Sequence, residues 1–465
     1  MQNSQPSSQQ IAQLTLDLSC LPAPYSLSRA DVLYLASRLA MHFSKQSYAK
    51  PTRKGSIYFL NTKVYGITAR SNTESAIHKR LACKKFWKRS LEKKVNEERL
   101  NYEARNSIVG GHPKTPGEPV QNYCSNETLN REQIKRKDNE EKLSRYKVVN
   151  TTTKAEENLL SIALSNEKNR INELYFTAKS LEKLATEKKY KWMFVTLTAP
   201  PKYHPNPIKG RRSYDPSVGI KGSHEYIKLR WVQIRSILNE RGVKASPEHY
   251  FGFRTVEPHK DGSIHWHLLI FANKNIQKSL TDAIFEKFPA KNSAEIVFGK
   301  EGDGSASAAT YLYKYIAKSV SREKIKYDTT TESAKDNMRE EKDLASLRSK
   351  DRVQAALKSL GIRQYQIFGV CNLTTIFKKI NRLNLDTVTP SQGSMLEFVK
   401  SYIWRNTDGY VNMMKNADMF GSGTEIGLIK IATQSSYGEP KKKVVGIRIG
   451  TTDFLNDKTY RIVKS

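Results

Sequence analysis

The chain is short of acidic residues: 46 Asp and Glu stand against 78 Lys and Arg in 465 residues, a formal charge of +32. The excess is spread along the whole length rather than gathered in a tail, so a polyanionic partner is expected, nucleic acid first. Cysteine is scarce too. Cys20, Cys83, Cys124 and Cys371 show no C-x-x-C spacing, which excludes a disulfide framework or a zinc knuckle and fits a reducing cytoplasm. No apolar run reaches transmembrane length and no charged-then-apolar leader opens the chain, so no membrane partner is expected. The phosphate-cradling pattern G-x-x-x-x-G-K-[ST] is missing, which excludes a helicase motor of that type. No internal repeat is found.

What is present is organised around Glu257–Phe271, EPHKDGSIHWHLLIF. The run YFGFRTV ends at Glu257, Pro258 and the Asp261-Gly262 pair supply turn chemistry, and IHWHLLIF runs back, which predicts a β-hairpin. On the returning strand His265 and His267 share one face, while Trp266, Leu268 and Ile270 share the other. Two neutral imidazoles at that spacing can bridge one cation. Glu257, beside the turn on the neighbouring strand, is the candidate third ligand. The alternative is a hydrogen-bonded histidine pair with no ion.

Residues 1–12 are Gln- and Ser-rich with little to bury and are expected to be disordered. SRADVLYLASRLAMHF, from Ser28, predicts an amphipathic helix with a Ser cap. Ala76 to Glu103 is helical and basic. Phe86 and Trp87 lie among Lys84, Lys85, Lys88 and Arg89, and either track a DNA backbone or form a core-facing pair beneath a solvated basic face. Asn130 to Lys189 predicts long charged helices. KWMFVTLTAPP predicts a buried strand feeding a loop with Lys202, Tyr203, His204, Lys209, Arg211 and Arg212, suited to a phosphate. A helix capped by Ser223, the hairpin, a helix over Ile276 to Phe288 and the strand AEIVFG complete an α+β domain with one central sheet.

SASAATYLYKYIAKSV, after Gly302 and Gly304, predicts a further helix. At 100° per residue Tyr311, Lys314, Tyr315 and Lys318 fall on one face; Leu312, Tyr313, Ile316, Ala317 and Val320 fall on the other. The apolar face accounts for packing. The tyrosines are then either rim aromatics or reactive phenols. A metal site with a tyrosine pair points to phosphodiester transesterification, with a phenol of ordinary pKa about 10 activated by neighbouring lysines or by the metal. Residues 322–351 read as a charged linker. RVQAALKSLGIRQYQIFGV reads as helix, turn and strand, TTIFKKINRLN and SMLEFVKSYIW as helices, and VVGIRIG as a strand.

FVTLTAPPKYHP, EPHKDGSIHWHLLIF and YLYKYIAK, in that order, resemble the three motifs of the HUH endonucleases. More narrowly, they resemble those of the bacteriophage replication gene A protein family of rolling-circle initiators. The segments around EARNSIVGG and NYCSNETLNREQ, and GIRQYQIFGVCNLTTIFKKINRL, resemble that family's flanks, so the likeness spans about Leu81 to Asp386. The resemblance implies His265 and His267 as metal ligands, with Glu257 or His259 as the third, and Tyr311 and Tyr315 as nucleophiles supported by Lys314 and Lys318. It implies Mg²⁺ or Mn²⁺, an α+β HUH nuclease domain with a central antiparallel sheet over 187–321, a mostly helical basic region over 1–186 and a mixed region over 352–465. The expected activity is site-specific cleavage of single-stranded DNA with a 5′-phosphotyrosine link, to start rolling-circle replication in the bacterial cytoplasm. Host helicase and polymerase are the implied partners. An HUH transposase, or an origin-binding protein without catalysis, are the alternatives.

Overall fold

The computed structural model describes residues 21–45, 50–112, 120–151, 153–299, 344–370, 375–376, 379–380, 426–449, 452–455 and 460–465. Tyr311, Lys314, Tyr315 and Lys318, with the helix predicted to carry them, lie outside the described residues, as do the segments TTIFKKINRLN in large part and SMLEFVKSYIW. The chain divides into two compact units, Met1–Tyr102 with Lys430–Val444, and Glu103–Ile429 with Val445–Ser465.

In the first unit, α1 (Arg29–Lys45) starts where the sequence places it. The Asp31 amide donates to Ser28 Oγ at 3.2 Å and the Ser28 amide to the Asp31 carboxylate at 2.8 Å, a reciprocal cap that satisfies two otherwise orphaned donors. Val32, Leu35, Ala36, Leu39 and Phe43 recur at helical spacing and are all buried. The basic stretch that follows folds as an antiparallel meander of β1 (Thr52–Lys54), β2 (Ile57–Asn61) and β3 (Thr68–Ser71). The helical text after it divides at Ala82 and Cys83 into α2 (Glu74–Leu81), capped by Thr73, and α3 (Lys84–Arg105). Trp87 is fully buried, its indole donates to the Leu81 carbonyl at 2.6 Å, and its ring packs 4.9 Å from that of Phe43. The indole is thus a core group, and Phe86 packs partly buried against the same cluster.

The second unit has an α+β fold. The charged stretch read as long helices holds two of them, with a hairpin between that the sequence reading did not place: α4 (Asn126–Ser144) is followed by β4 (Tyr146–Asn150), β5 (Glu156–Asn158) and α5 (Leu159–Glu187). The β-branched run of Val148 and Val149 and the Thr-rich turn after it favour a hairpin over helix there. α4 is anchored at its start by the buried Glu103, whose carboxylate accepts from Ser125 N at 3.2 Å, Ser125 Oγ at 2.6 Å and Thr128 Oγ1 at 2.5 Å.

The central sheet comprises β6 (Lys191–Thr198), β7 (Tyr250–Pro258), β8 (Ile264–Ala272), β9 (Ala294–Phe298) and β10 (Tyr365–Phe368) in the order β10-β7-β8-β6-β9. Every neighbouring pair is antiparallel. β7 and β8 are buried almost throughout, as expected of central strands covered on both faces. α6 (Gly219–Glu240) and α7 (Lys274–Lys287) join the strands, and Asn273 caps α7 by accepting from the Ile276 amide at 3.0 Å. The cap predicted at Ser223 is not formed. α6 starts four residues earlier, and Ser223 lies within it, donating to the Ile220 carbonyl at 2.9 Å and accepting from the Ile264 amide at 2.8 Å. It ties helix to sheet instead. α8 (Leu344–Leu360) starts inside the stretch read as a linker and packs against α4, and Gly361, at φ +63°, lets the chain turn into β10. β11 (Ile426–Gln434), β12 (Pro440–Ile449) and β13 (Thr452–Leu455) form a third sheet, and β14 (Tyr460–Lys464) pairs with β4. Among the described residues no helix is long and apolar enough to cross a membrane.

Candidate metal centre

The register of the central hairpin sets the site. Glu257 on β7 stands opposite His265 on β8, and Thr255 opposite His267; across the other edge of β8, Thr198 faces His265 and Thr196 faces His267. Because side chains alternate, the carboxylate, both imidazoles and both β6 hydroxyls share one face of the sheet. The turn that holds this register has Gly262 at φ +85°, a left-handed conformation that glycine adopts without steric cost.

On that face the two Nε2 atoms lie 3.2 Å apart, and the Glu257 carboxylate is 3.7 Å from that of His265 and 3.5 Å from that of His267. The donor atoms of Glu257, His265 and His267 all fall within 4.8 Å of one another. Donors about 2.1 Å from a shared ion sit about 3.0 Å apart at right angles and about 3.4 Å apart at tetrahedral angles. The observed spacings are close to these values, and the donor set of two imidazoles and a carboxylate suits a divalent cation.

Surrounding groups orient the donors. His267 Nδ1 meets Thr196 Oγ1 at 3.1 Å, which turns Nε2 toward His265 and Glu257. Burial alone would raise the Glu257 carboxyl, but hydrogen bonding and charge from His265 and His267 prevail and hold it down at about 2. It is therefore ionised at neutral pH, a charged ligand in a buried place. His259 sits in the turn, its ring centroid 4.0 Å from that of His265, with Nε2 buried and unpartnered. Burial, then repulsion from His265, brings its pKa down to about 2. It borders the three-donor group without belonging to it.

The opposite face is a pedestal. Trp266 is 1 % exposed; its indole nitrogen donates to His224 Nδ1 on α6 at 3.1 Å, and the Arg254 guanidinium lies 4.3 Å from its ring centroid. Burial holds His224 neutral, with its pKa lowered to about 4.

Sequence reasoning missed the bracket that grips the turn. His204, beyond the end of β6, contacts Asp261 Oδ2 at 3.2 Å and Ser263 Oγ at 2.9 Å through Nδ1, and the Ala199 carbonyl at 3.1 Å through Nε2. The Tyr123 amide donates to the Lys260 carbonyl at 2.9 Å. Asn206 Nδ2 donates to the Gly110 carbonyl at 3.0 Å, and Gly110, at φ +76°, lies so close to Asp261 that an added Cβ would sit 2.6 Å from its Cα. The Gly110-Gly111 pair was the visible hint. The loop residues Lys202, Lys209, Arg211 and Arg212 are exposed, so the loop adds positive charge at the surface.

A five-stranded antiparallel sheet flanked by helices, with two imidazoles and a carboxylate converging on one face, defines an α+β protein with a donor cluster able to hold a metal ion. The chain belongs to the bacteriophage replication gene A protein (GPA) family, whose profile matches residues 37–323. It is 27% identical over 324 residues to the replication protein of Haemophilus phage HP1, covering 65% of this chain and 38% of that protein. It is 25% identical over 386 residues to a probable replication protein of Pseudoalteromonas phage PM2, covering 79% and 56%. A probable replication endonuclease from a prophage-like region of Salmonella paratyphi A is 26% identical over 225 residues, covering 46% and 26%. The matched segments thus span from about a quarter to just over half the length of these relatives. No solved structure matches the chain.

Proposed function

We propose that the chain is a site-specific single-stranded DNA endonuclease and strand transferase that starts rolling-circle replication. The observation that carries this reading is the convergence of Glu257, His265 and His267 on one face of the central sheet. Family membership, a relative named as a replication endonuclease and the +32 charge support it.

In this reading Glu257, His265 and His267 hold Mg²⁺ or Mn²⁺, Thr196 fixes the His267 ring, and Trp266 and His224 hold the strand from behind. A bound divalent ion would supply Lewis-acid polarisation of a phosphate oxygen. Tyr311 or Tyr315 attacks phosphorus through its phenol oxygen. The bond from phosphorus to the 3′ oxygen breaks, and the phenol proton ends on that oxygen. One phosphodiester is exchanged for another, so the 5′-phosphotyrosine end can be rejoined without ATP. Lys314 and Lys318 favour the phenolate by their positive charge. With two tyrosines, one can stay linked while the other attacks a regenerated site. A host helicase would separate the strands and a host polymerase would extend the free 3′ hydroxyl.

The test is a covalent adduct. Labelled single strands tiling the replicon that encodes the chain, incubated with it and Mn²⁺, should leave DNA attached at Tyr311 or Tyr315. The double change Y311F/Y315F should abolish nicking while DNA affinity persists. Binding with no adduct from the unaltered chain refutes the proposal.

A further inference from the structure

The meander of the first unit carries an aromatic ring on a basic outer face. Leu60 is buried in that unit's core and Tyr58 packs against it, so strand alternation directs Phe59, between them, to the outer face. The register places Thr52 on one side of Phe59 and Arg70 on the other. Lys54 and Ile57 form the next pair on the same face, and Asn61 follows two residues along β2. The Arg70 guanidinium lies 5.5 Å from the Phe59 ring centroid, and Ile57 is 38 % exposed. From Lys50 to Ser71 the chain has five basic residues and no acidic one.

We infer that this outer face is a stacking platform for single-stranded DNA: the Phe59 ring takes an unpaired base while Arg70 and Lys54 hold the flanking phosphates. A half-buried aromatic ring at the middle of an otherwise exposed, basic, three-stranded face meets both needs of single-strand binding, a π-surface and an electrostatic track. A duplex keeps its bases stacked on one another and cannot use the ring. The inference is independent of the chemistry at Glu257, His265 and His267.

The full chain, in EDTA to silence any metal-dependent cleavage, is irradiated with an iodouracil-substituted oligonucleotide and digested with trypsin. The expected adduct is on the fragment Gly55–Lys63. F59A should remove it and weaken single-strand affinity by about 5- to 140-fold, the range that base stacking on an aromatic ring implies. F59Y should keep both. R70Q should lower the salt slope of log affinity by about 0.7, one phosphate's share. Circular dichroism of F59A should match the unaltered chain, since the residue lies outside the core. No adduct on that fragment, affinity unchanged by F59A, or a duplex that cross-links there equally well overturns the inference.

Discussion

Acidification should weaken the second unit through His224, a residue on the far side of the sheet from the donor cluster. In the folded chain its Nδ1 accepts the Trp266 indole proton at 3.1 Å, and burial lowers its pKa from 6.5 to about 4. Between those values the unfolded chain binds a proton that the folded chain refuses. The contribution is therefore fully present above about pH 6.5, falls as pH drops through the window and levels off below about 4. Integrated from pH 7.5 to 5, the loss is about 2 kcal/mol. H224N keeps an acceptor for Trp266 but does not titrate, so it should lose about 2 kcal/mol less than the unaltered chain over the same interval. Urea unfolding followed by tryptophan emission, in EDTA, measures both. Every other group is common to both proteins, so the difference isolates His224. Equal losses in the two would refute the reasoning.

Manganese at 100 times its dissociation constant should stabilise the chain by about 2.7 kcal/mol, and E257Q and H265A should each reduce that gain; a melting shift unchanged in E257Q removes the carboxylate from the donor set. G110A should cost about 1–3 kcal/mol, because the new methyl meets Asp261, and more than G55A, whose methyl meets nothing within 4 Å; the reverse order of melting temperatures counts against the bracket. E103A should cost about 3 kcal/mol by stranding the donors at the start of α4, and a shift of the urea midpoint near zero would show that buried carboxylate to be dispensable.

The central hairpin was legible because two independent patterns agree there: a short apolar run on each strand and an Asp-Gly turn between them. The α+β class followed from the same texture. The choice between Glu257 and His259 was open in the sequence, since it depends on where the turn ends and the ladder begins. The register pairs Glu257 with His265 and sets His259 in the turn. Ser223 misled because a serine at a helix start and one inside a helix that reaches sideways look alike; the partner, Ile264, lies 41 residues away. The meander over 52–71 escaped notice because strands of three to five residues give alternation too little length to register. The grip of His204 on Asp261 and Ser263 joins residues 57 and 59 apart, a distance at which no local pattern speaks.

β8 is the third of five strands, with β7 and β6 on either side and the short β9 and β10 outermost. Thermal fraying of a sheet begins at its margins, so the backbone of Ile264–Ala272 should open only when the whole unit does, and its amides should be among the slowest to exchange with deuterium. The imidazoles would thus keep their spacing through every partial opening short of global unfolding, leaving the outer strands free to breathe around a fixed centre.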